Sequence, residues 1–414
     1  MKHFYMLAAI AAFIMMTATS CDKVEQGDNG DNEYKPLELT TKASQFVEQG
    51  STFSFEFIDR INKHAKADYI ISPLSMQFLL GMLLDGAKGE TAEQIAKVLG
   101  YGAGEVDAVN QFCLSMLEQL PKLDEKTTLN IANAIFVDDG WPLNSSFKKD
   151  VAKYFNAEVS NLDFSDNAGS LKVINGWSNT HTNGMIPKVL EEVDPSILAY
   201  LMNAVYFKSQ WVNQFPKQST ADELFTDETG MGINGKVKMM KMSCHLPYFE
   251  NEMYQMVSMP YGNGAFSMMV LLPRYEYTTA EITASLKKAN WNALRKAPRE
   301  TEVDVWFPKF ESKYKIKLND ILSAMGMPLA FGAADFSAMS PYANRLSFVQ
   351  QDGAIKVDEE GSEAAAVSVA GMEKNAVSVG GPQVALFHAD HPFIYLITET
   401  STGVVLFAGR YCGK

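Results

Sequence analysis

VDEEGSEAAAVSVAG, residues 357–371, runs straight into MEKNAVSVGGP, residues 372–382. Read with a period of two, Ser362, Ala364, Ala366, Ser368 and Ala370 fall on one side. Glu363, Ala365, Val367, Val369 and Gly371 fall on the other. The first side is uniformly small. An ordinary strand would bring larger apolar groups to a core face, and a permanent loop would carry more turn residues. Small side chains suit a segment that slides into a tight slot between two existing strands, with the Glu363 charge left in solvent. Taken alone, the run also reads as a low-complexity flexible loop.

The chain around this segment is mixed in character. Ser72 and Pro73 open a helix, serine as the cap and proline at the first helical position, where its missing N–H is not needed. The apolar residues 78–84 then predict a deeply buried helix ending near Gly86. Thr91 with Gln94 predicts a capping box for a second helix that stops at Gly100. From residue 130 the pattern changes to strands. Residues 130–137 and 198–207 read as strands, the second apolar on both faces and so central and covered. Residues 256–259 and 265–272 predict a hairpin across Tyr261-Gly262-Asn263-Gly264. Residues 393–397 and 404–408 predict another pair across Thr402-Gly403. Helices early and strands late predict an α+β fold.

The N-terminus reads as an export signal. Lys2 precedes an uncharged apolar run, residues 4–16, too short to span a hydrocarbon core of roughly 30 Å as a helix and suited to a signal-peptide core. Ala18-Thr19-Ser20-Cys21 is similar to a bacterial lipobox, which places a signal peptide over 1–20 and lipidation at Cys21. Residues 21–42 are expected to be a flexible acidic tether. These features predict an exported protein, held by its lipid at a bacterial outer membrane or cell surface and facing the extracellular space. Ordinary cleavage near this point, leaving Cys21 as a free thiol, is the alternative.

The 414 residues are 47% hydrophobic, enough for one large core, and carry a net charge of −13. No basic stripe marks the sequence, so no nucleic-acid partner is expected. The four cysteines, Cys21, Cys113, Cys244 and Cys412, are far apart and lack the clustered spacing of a disulfide framework or a zinc site. Catalytic motifs fail as well. Residues 81–88 mimic a phosphate loop, but Lys88 comes one residue late and no Ser or Thr follows it. No nucleophile elbow and no HExxH motif occur. His388 and His391 flank Asp390 and read as a polar turn into a strand. No catalytic residue, cofactor or metal is expected.

At EEGSEAAAVS, residues 359–368, the sequence resembles the hinge of the serpin family. FHADHPFIYLI at 387–397 is similar to the strand after that family's reactive loop. LMNAVYFKSQWVNQF at 201–215 resembles its central strand and breach, and ISPLSMQFLLGMLLDGAKGETAEQI at 71–95 the helix pair under the main sheet. NAIF at 133–136 and LFAGR at 406–410 also fit, so the resemblance runs in order from about residue 43 to the end.

The resemblance implies a serpin domain over 43–414, with three β-sheets, about nine helices and a reactive-centre loop over about 359–385. It implies a monomeric suicide inhibitor of a trypsin-like or elastase-like serine protease, with a cysteine protease as a further partner class. Cleavage of the loop forms an acyl-enzyme, and the loop then inserts as a new strand. About 15 residues at 3.3 Å each give a strand of roughly 50 Å. Glu359, Gly361, Ser362, Ala364, Ala365 and Ala366 match the hinge. Trp211 matches the breach, and Ser72, Ser75 and Asn203 match the shutter. Gln351 stands where the family often has histidine. The reactive bond falls in the Lys374, Asn375, Ala376 region. Each match has a plainer reading: Ser72 as a helix cap, Asn203 as a satisfied buried amide, Trp211 as core. A non-inhibitory serpin, serving as a surface binding or structural protein, is the alternative function.

Overall fold

The computed structural model describes residues 32–102, 104–362 and 384–413. In chain order the first half contains α1 (Thr41–His64), β1 (Tyr69–Ile71), α2 (Pro73–Gly86), α3 (Gly89–Leu99) and α4 (Val106–Gln119). These are followed by β2 (Thr128–Asp138), α5 (Ser145–Phe155), β3 (Ala157–Leu162), α6 (Asn167–His181) and β4 (Ala199–Gln210). Next come β5 (Ala221–Thr226), β6 (Ile233–Glu250), β7 (Tyr254–Tyr261), β8 (Phe266–Pro273), α7 (Thr279–Leu286) and α8 (Trp291–Leu294). The last part holds β9 (Arg299–Pro308), β10 (Phe310–Lys317), α9 (Asn319–Met325), β11 (Gln350–Val357) and β12 (Gly361–Ser362). It ends with β13 (Ala385–His388), β14 (Phe393–Glu399) and β15 (Val405–Tyr411). Nine α-helices thus accompany the strands among the described residues, and the α+β class expected from the pattern is the one observed.

The strands form a six-stranded sheet, ordered β10-β11-β12-β4-β2-β3, and a nine-stranded network. Three sheets were expected. Two of them are joined here because β6 is long: it pairs with β5 through its first third, with β9 from Met239 to Tyr248, and with β7 at its end. One 18-residue strand therefore serves two sheets.

The helix α2 begins as the sequence predicts. The Ser72 side chain accepts from the Ser75 backbone N–H, and Pro73 occupies the first turn. Nearly every residue of α2 is buried, because the helix lies beneath the six-stranded sheet, against β4, and beneath β15. A Cβ on Gly81 would come within 2.9 Å of the Phe155 ring, so this glycine sets the close approach of α2 and α5. The capping box at Thr91 is not formed. The helix α3 starts two residues earlier at Gly89, and the Thr91 hydroxyl instead accepts from the Asp335 backbone N–H. A distant loop outcompeted the local cap. At its other end α3 does stop at Gly100, which takes a left-handed conformation (φ 85°).

Part of the expected tether is fixed to the body. Over residues 34–42 the chain is pinned by Tyr34, whose hydroxyl donates to Glu399, by Leu37, whose N–H donates to Ser401 Oγ, and by a paired contact of Glu38 with Gln119. Leu37 is buried, and α1 already begins at Thr41. The apolar Tyr34 and Leu37 supply packing that an acidic, Gly-rich composition conceals.

Candidate functional site

After β11 the residues Asp358, Glu359 and Glu360 turn the chain back. The Glu360 N–H donates to Asp358 Oδ1 (3.0 Å), and the Asp358 N–H to the Gly361 carbonyl (2.9 Å). The reversed chain becomes β12, which enters between β11 and β4. Ser362 pairs with Val357 on one side, and Gly361 and Ser362 pair with Gln210 and Ser209 on the other. A Cβ on Gly361 would stand 2.1 Å from the Ser209 carbonyl oxygen and 2.7 Å from Gln210 Cα, so only glycine permits this approach. The Ser362 side chain is buried, and its hydroxyl lies 2.7 Å from the Tyr261 hydroxyl. Burial pushes the Tyr261 phenol well up, outweighing the opposing hydrogen bond with Ser362, so it is neutral.

Trp211 holds the turn from the β4 side. Its backbone N–H donates to the Glu360 carbonyl (2.9 Å) and its indole N–H to the Asp358 carbonyl (3.0 Å). The indole stacks on Tyr261 at 4.3 Å between centroids. The Phe215 N–H donates to the Glu359 carbonyl. Each bond contributes about 0.5–1.5 kcal/mol net. The Glu359 carboxylate is held by Lys309 (2.7 Å) and the Thr220 hydroxyl (2.9 Å). Burial opposes its ionisation, but Lys309 and Thr220 together outweigh burial and keep its carboxyl below the usual range. Glu360 faces outward to Lys217.

Below Ser362 no hydrogen-bond register joins β4 to β11 among the described residues. A cavity of about 270 Å³ lies there, lined by Asn203 and Gln351 from the two strands, by Ser72 and Ser75 beneath, and by Trp177 above. The Gln351 amide bridges both backbone groups of Ser72, accepting from its N–H (3.1 Å) and donating to its carbonyl (2.9 Å). The Ser72 hydroxyl donates to the Leu406 carbonyl (2.6 Å) and accepts from the Ser75 N–H (3.0 Å). Ser72 is therefore both a helix cap and a tie between α2, β11 and β15. Asn203 is not part of this cluster. Its amide donates to Asn133 Oδ1 (2.7 Å), and Asn133 donates to the Phe155 carbonyl.

Sequence reasoning missed Tyr261, Lys309 and Thr220, and gave Asn133 only a place in the NAIF match, not its role as the partner of Asn203. Tyr261 read only as the start of a hairpin turn. Ala364, Ala365, Ala366, Lys374, Asn375, Ala376 and Cys21 lie outside the described residues. His388 and His391 have separate partners: His388 pairs with Asp304 and stacks on Trp306, whereas His391 contacts Asp390 and the Pro273 carbonyl. Cys113, Cys244 and Cys412 are free thiols. Burial raises all three, Cys244 and Cys412 each to about 11.

A two-residue strand started between two others, over an unpaired gap, is the feature on which comparison with known proteins bears. A family model described as serpin (serine protease inhibitor) matches residues 48–413, and the chain belongs to the serpin family. Neuroserpin of Gallus gallus is 34% identical over 356 residues, covering 82% of this chain and 85% of that protein. Serpin B6 of Pongo abelii is 33% identical over 376 residues, covering 88% of this chain and 98% of that protein. Among solved structures, the thermophilic serpin tengpin in its native state superposes with a TM-score of 0.79 at 29% identity, over 92% of this chain and 96% of that one. The fold is the serpin fold, and the family is one of protease inhibitors.

Proposed function

We propose that the protein is an irreversible suicide-substrate inhibitor of serine proteases, reacting through the 374–376 region. The observation that carries this reading is the seated β12, already inserted by two residues above a gap in which β4 and β11 do not pair. The protease serine oxygen attacks the scissile carbonyl, the peptide C–N bond breaks, and the amine leaves with a proton from the protease. The acyl ester links enzyme to loop. Continued insertion from Ser362 downward then carries the ester away from the protease's approach site before water can attack. The small face of residues 362–370 suits passage through the gap, and neutral Tyr261 and Ser362 offer no charge to oppose it.

The test is incubation of the protein lacking residues 1–35 with trypsin-like and elastase-like serine proteases and a papain-like cysteine protease, followed by denaturing gels. An SDS-stable complex is expected with at least one serine protease, and the mass of the released peptide fixes the bond. Cleavage without any complex across the panel would favour the non-inhibitory reading. Ala364→Arg is expected to turn the inhibitor into a substrate, raising the stoichiometry of inhibition at least about tenfold, because a charge enters the slot only at several kcal/mol. An unchanged yield of complex from this variant would sink the insertion mechanism.

The same reading places the protein outside the cell, anchored through Cys21. What supports it is the charged start, short apolar run and small residues before Cys21. One acyl chain holds a protein only marginally and several hold it firmly, at about 0.8 kcal/mol per buried methylene. Cys21→Ser is expected to move the protein from the membrane pellet to the soluble fraction of the expressing bacterium and to abolish incorporation of labelled fatty acid. Retention of label would rule out this site.

A further inference from the structure

We propose that Asp85 and Asn110 form a proton-dependent clamp between α2 and α4, which holds the uncut chain more tightly in mild acid than at alkaline pH. With a proton on Asp85 the two side chains close a pair of hydrogen bonds. Without it one bond remains and two buried oxygens lack a donor. Nothing in the clamp depends on the inhibitory reading above.

Asp85 stands in the last turn of α2, one residue before Gly86, and Asn110 lies in α4, 2% exposed. The Asn110 amide donates to Asp85 Oδ1 at 2.7 Å. The other carboxyl oxygen, Asp85 Oδ2, and the amide oxygen, Asn110 Oδ1, are both buried and have no hydrogen-bond partner among the described residues. An ionised carboxylate has only acceptors to offer, so it leaves the amide oxygen unserved. Turning the amide over does not help, because that sets its oxygen against the carboxylate. A proton on Oδ2 is the one change within the pair that supplies a donor. The acid O–H then donates to the amide oxygen while the amide N–H donates to the acid, and α2 and α4 are joined by two bonds in place of one.

The surroundings favour the proton. Among the described residues the charged groups acting on Asp85 are Asp150 of α5 and Asp107 of α4, both of like sign. Lys88, the nearest cation along the chain, lies near Asp335, and Lys153 turns to the Tyr154 hydroxyl. The last turn of α2 holds no basic residue, and a negative charge there meets the negative end of the helix dipole. Burial, aided by Asp150 and Asp107, holds the Asp85 carboxyl above the ordinary range, and the Asn110 bond offsets this only in part. The folded chain therefore keeps this proton at pH values above about 3.9, where the unfolded chain has lost it. Stability falls as pH rises through that window. Burial also opposes the ionisation of Glu56, Asp59 and Glu359, but their hydrogen-bonded partners outweigh it and hold them low, which gives the opposite sign. The clamp thus shows in the difference between a variant and its parent.

The experiment compares the melting temperatures of the full, uncut chain and its Asp85→Asn variant across pH. An amide at position 85 has the shape of the protonated acid and makes both bonds with Asn110 at every pH. The variant is expected to melt about 2–5 °C above the parent at about pH 8, and the gap is expected to close at about pH 4, where the parent carries the proton. A gap that is equal at both pH values, or no gap at either, would overturn the clamp. Should the variant fold poorly, infrared spectra of the parent decide the matter with Asp85 labelled by difference against Asn110→Leu, which keeps the carboxyl and removes its partner. The parent is expected to show a carboxylic-acid carbonyl band that persists above about pH 4, where an ordinary aspartate has ionised, and that shifts in Asn110→Leu because the bond to the amide is gone. Absence of such a band, or a band unmoved by the loss of Asn110, would show that Asp85 does not hold a proton against Asn110.

Discussion

Cutting the loop within residues 374–376 is expected to raise the melting temperature by on the order of 10 °C or more, although a broken chain ordinarily loses stability. The reason lies in the gap below Ser362. There β4 and β11 face one another without a shared register, so their edges have backbone groups to offer an incoming strand. A freed loop that continues β12 downward would add two ladders, roughly ten or more bonds at about 1 kcal/mol net each. For a domain of this size each kcal/mol moves the midpoint by about 1–2 °C. The uncut state must therefore be kinetically rather than thermodynamically secure. Calorimetry before and after limited proteolysis decides the matter. A midpoint that stays put, with the cut ends still open to further digestion, would show that the loop does not enter.

Gly361→Val is expected to expel β12 from its slot. The valine Cβ would stand 2.1 Å from the Ser209 oxygen, and the listener on the other side of that contact is backbone, which cannot rotate away. Relief requires moving β4 or withdrawing the hinge. Withdrawal sacrifices the pairing of Gly361 and Ser362 and the contact of Ser362 with Tyr261. It also loosens Trp211 from Asp358 and Glu360. Two readouts follow: a change in tryptophan emission, because Trp211 is buried against Tyr261, and a severalfold rise in the stoichiometry of inhibition. Wild-type emission together with wild-type inhibition would mean that the seated hinge is not needed to start insertion.

Local pattern carried much of the fold. Ser72-Pro73 marked the start of α2, Gly100 the end of α3, and the Gly262–Gly264 turn the hairpin of β7 and β8, because caps and tight turns are decided by neighbours a few residues apart. Where a distant partner competed, local reasoning failed. Thr91 gave up its capping box to bind the loop at Asp335, and Tyr34 and Leu37 left an apparently flexible segment to pack on the body.

The site shows the same division. The small face beginning at Ser362 was legible from side-chain size, whereas the candidate positions Trp211, Ser72, Ser75 and Gln351 came from the resemblance to the serpin family. Their partners were not legible. Ser362 meets Tyr261 across 101 residues of chain, and Trp211 meets Asp358 across 147. The resemblance grouped Asn203 with the other shutter candidates, yet its amide turned to Asn133 on the neighbouring strand.

By itself, then, the sequence determined that this chain builds an α+β domain with a small-sided segment near its C-terminus, since periodicity and side-chain size are properties of short stretches. Only the tertiary structure decided that the segment's first two residues sit between β11 and β4 and that β4 and β11 share no register below them. Those facts depend on which strands become neighbours, and that choice is made by burial and hydrogen bonding across more than a hundred residues of chain.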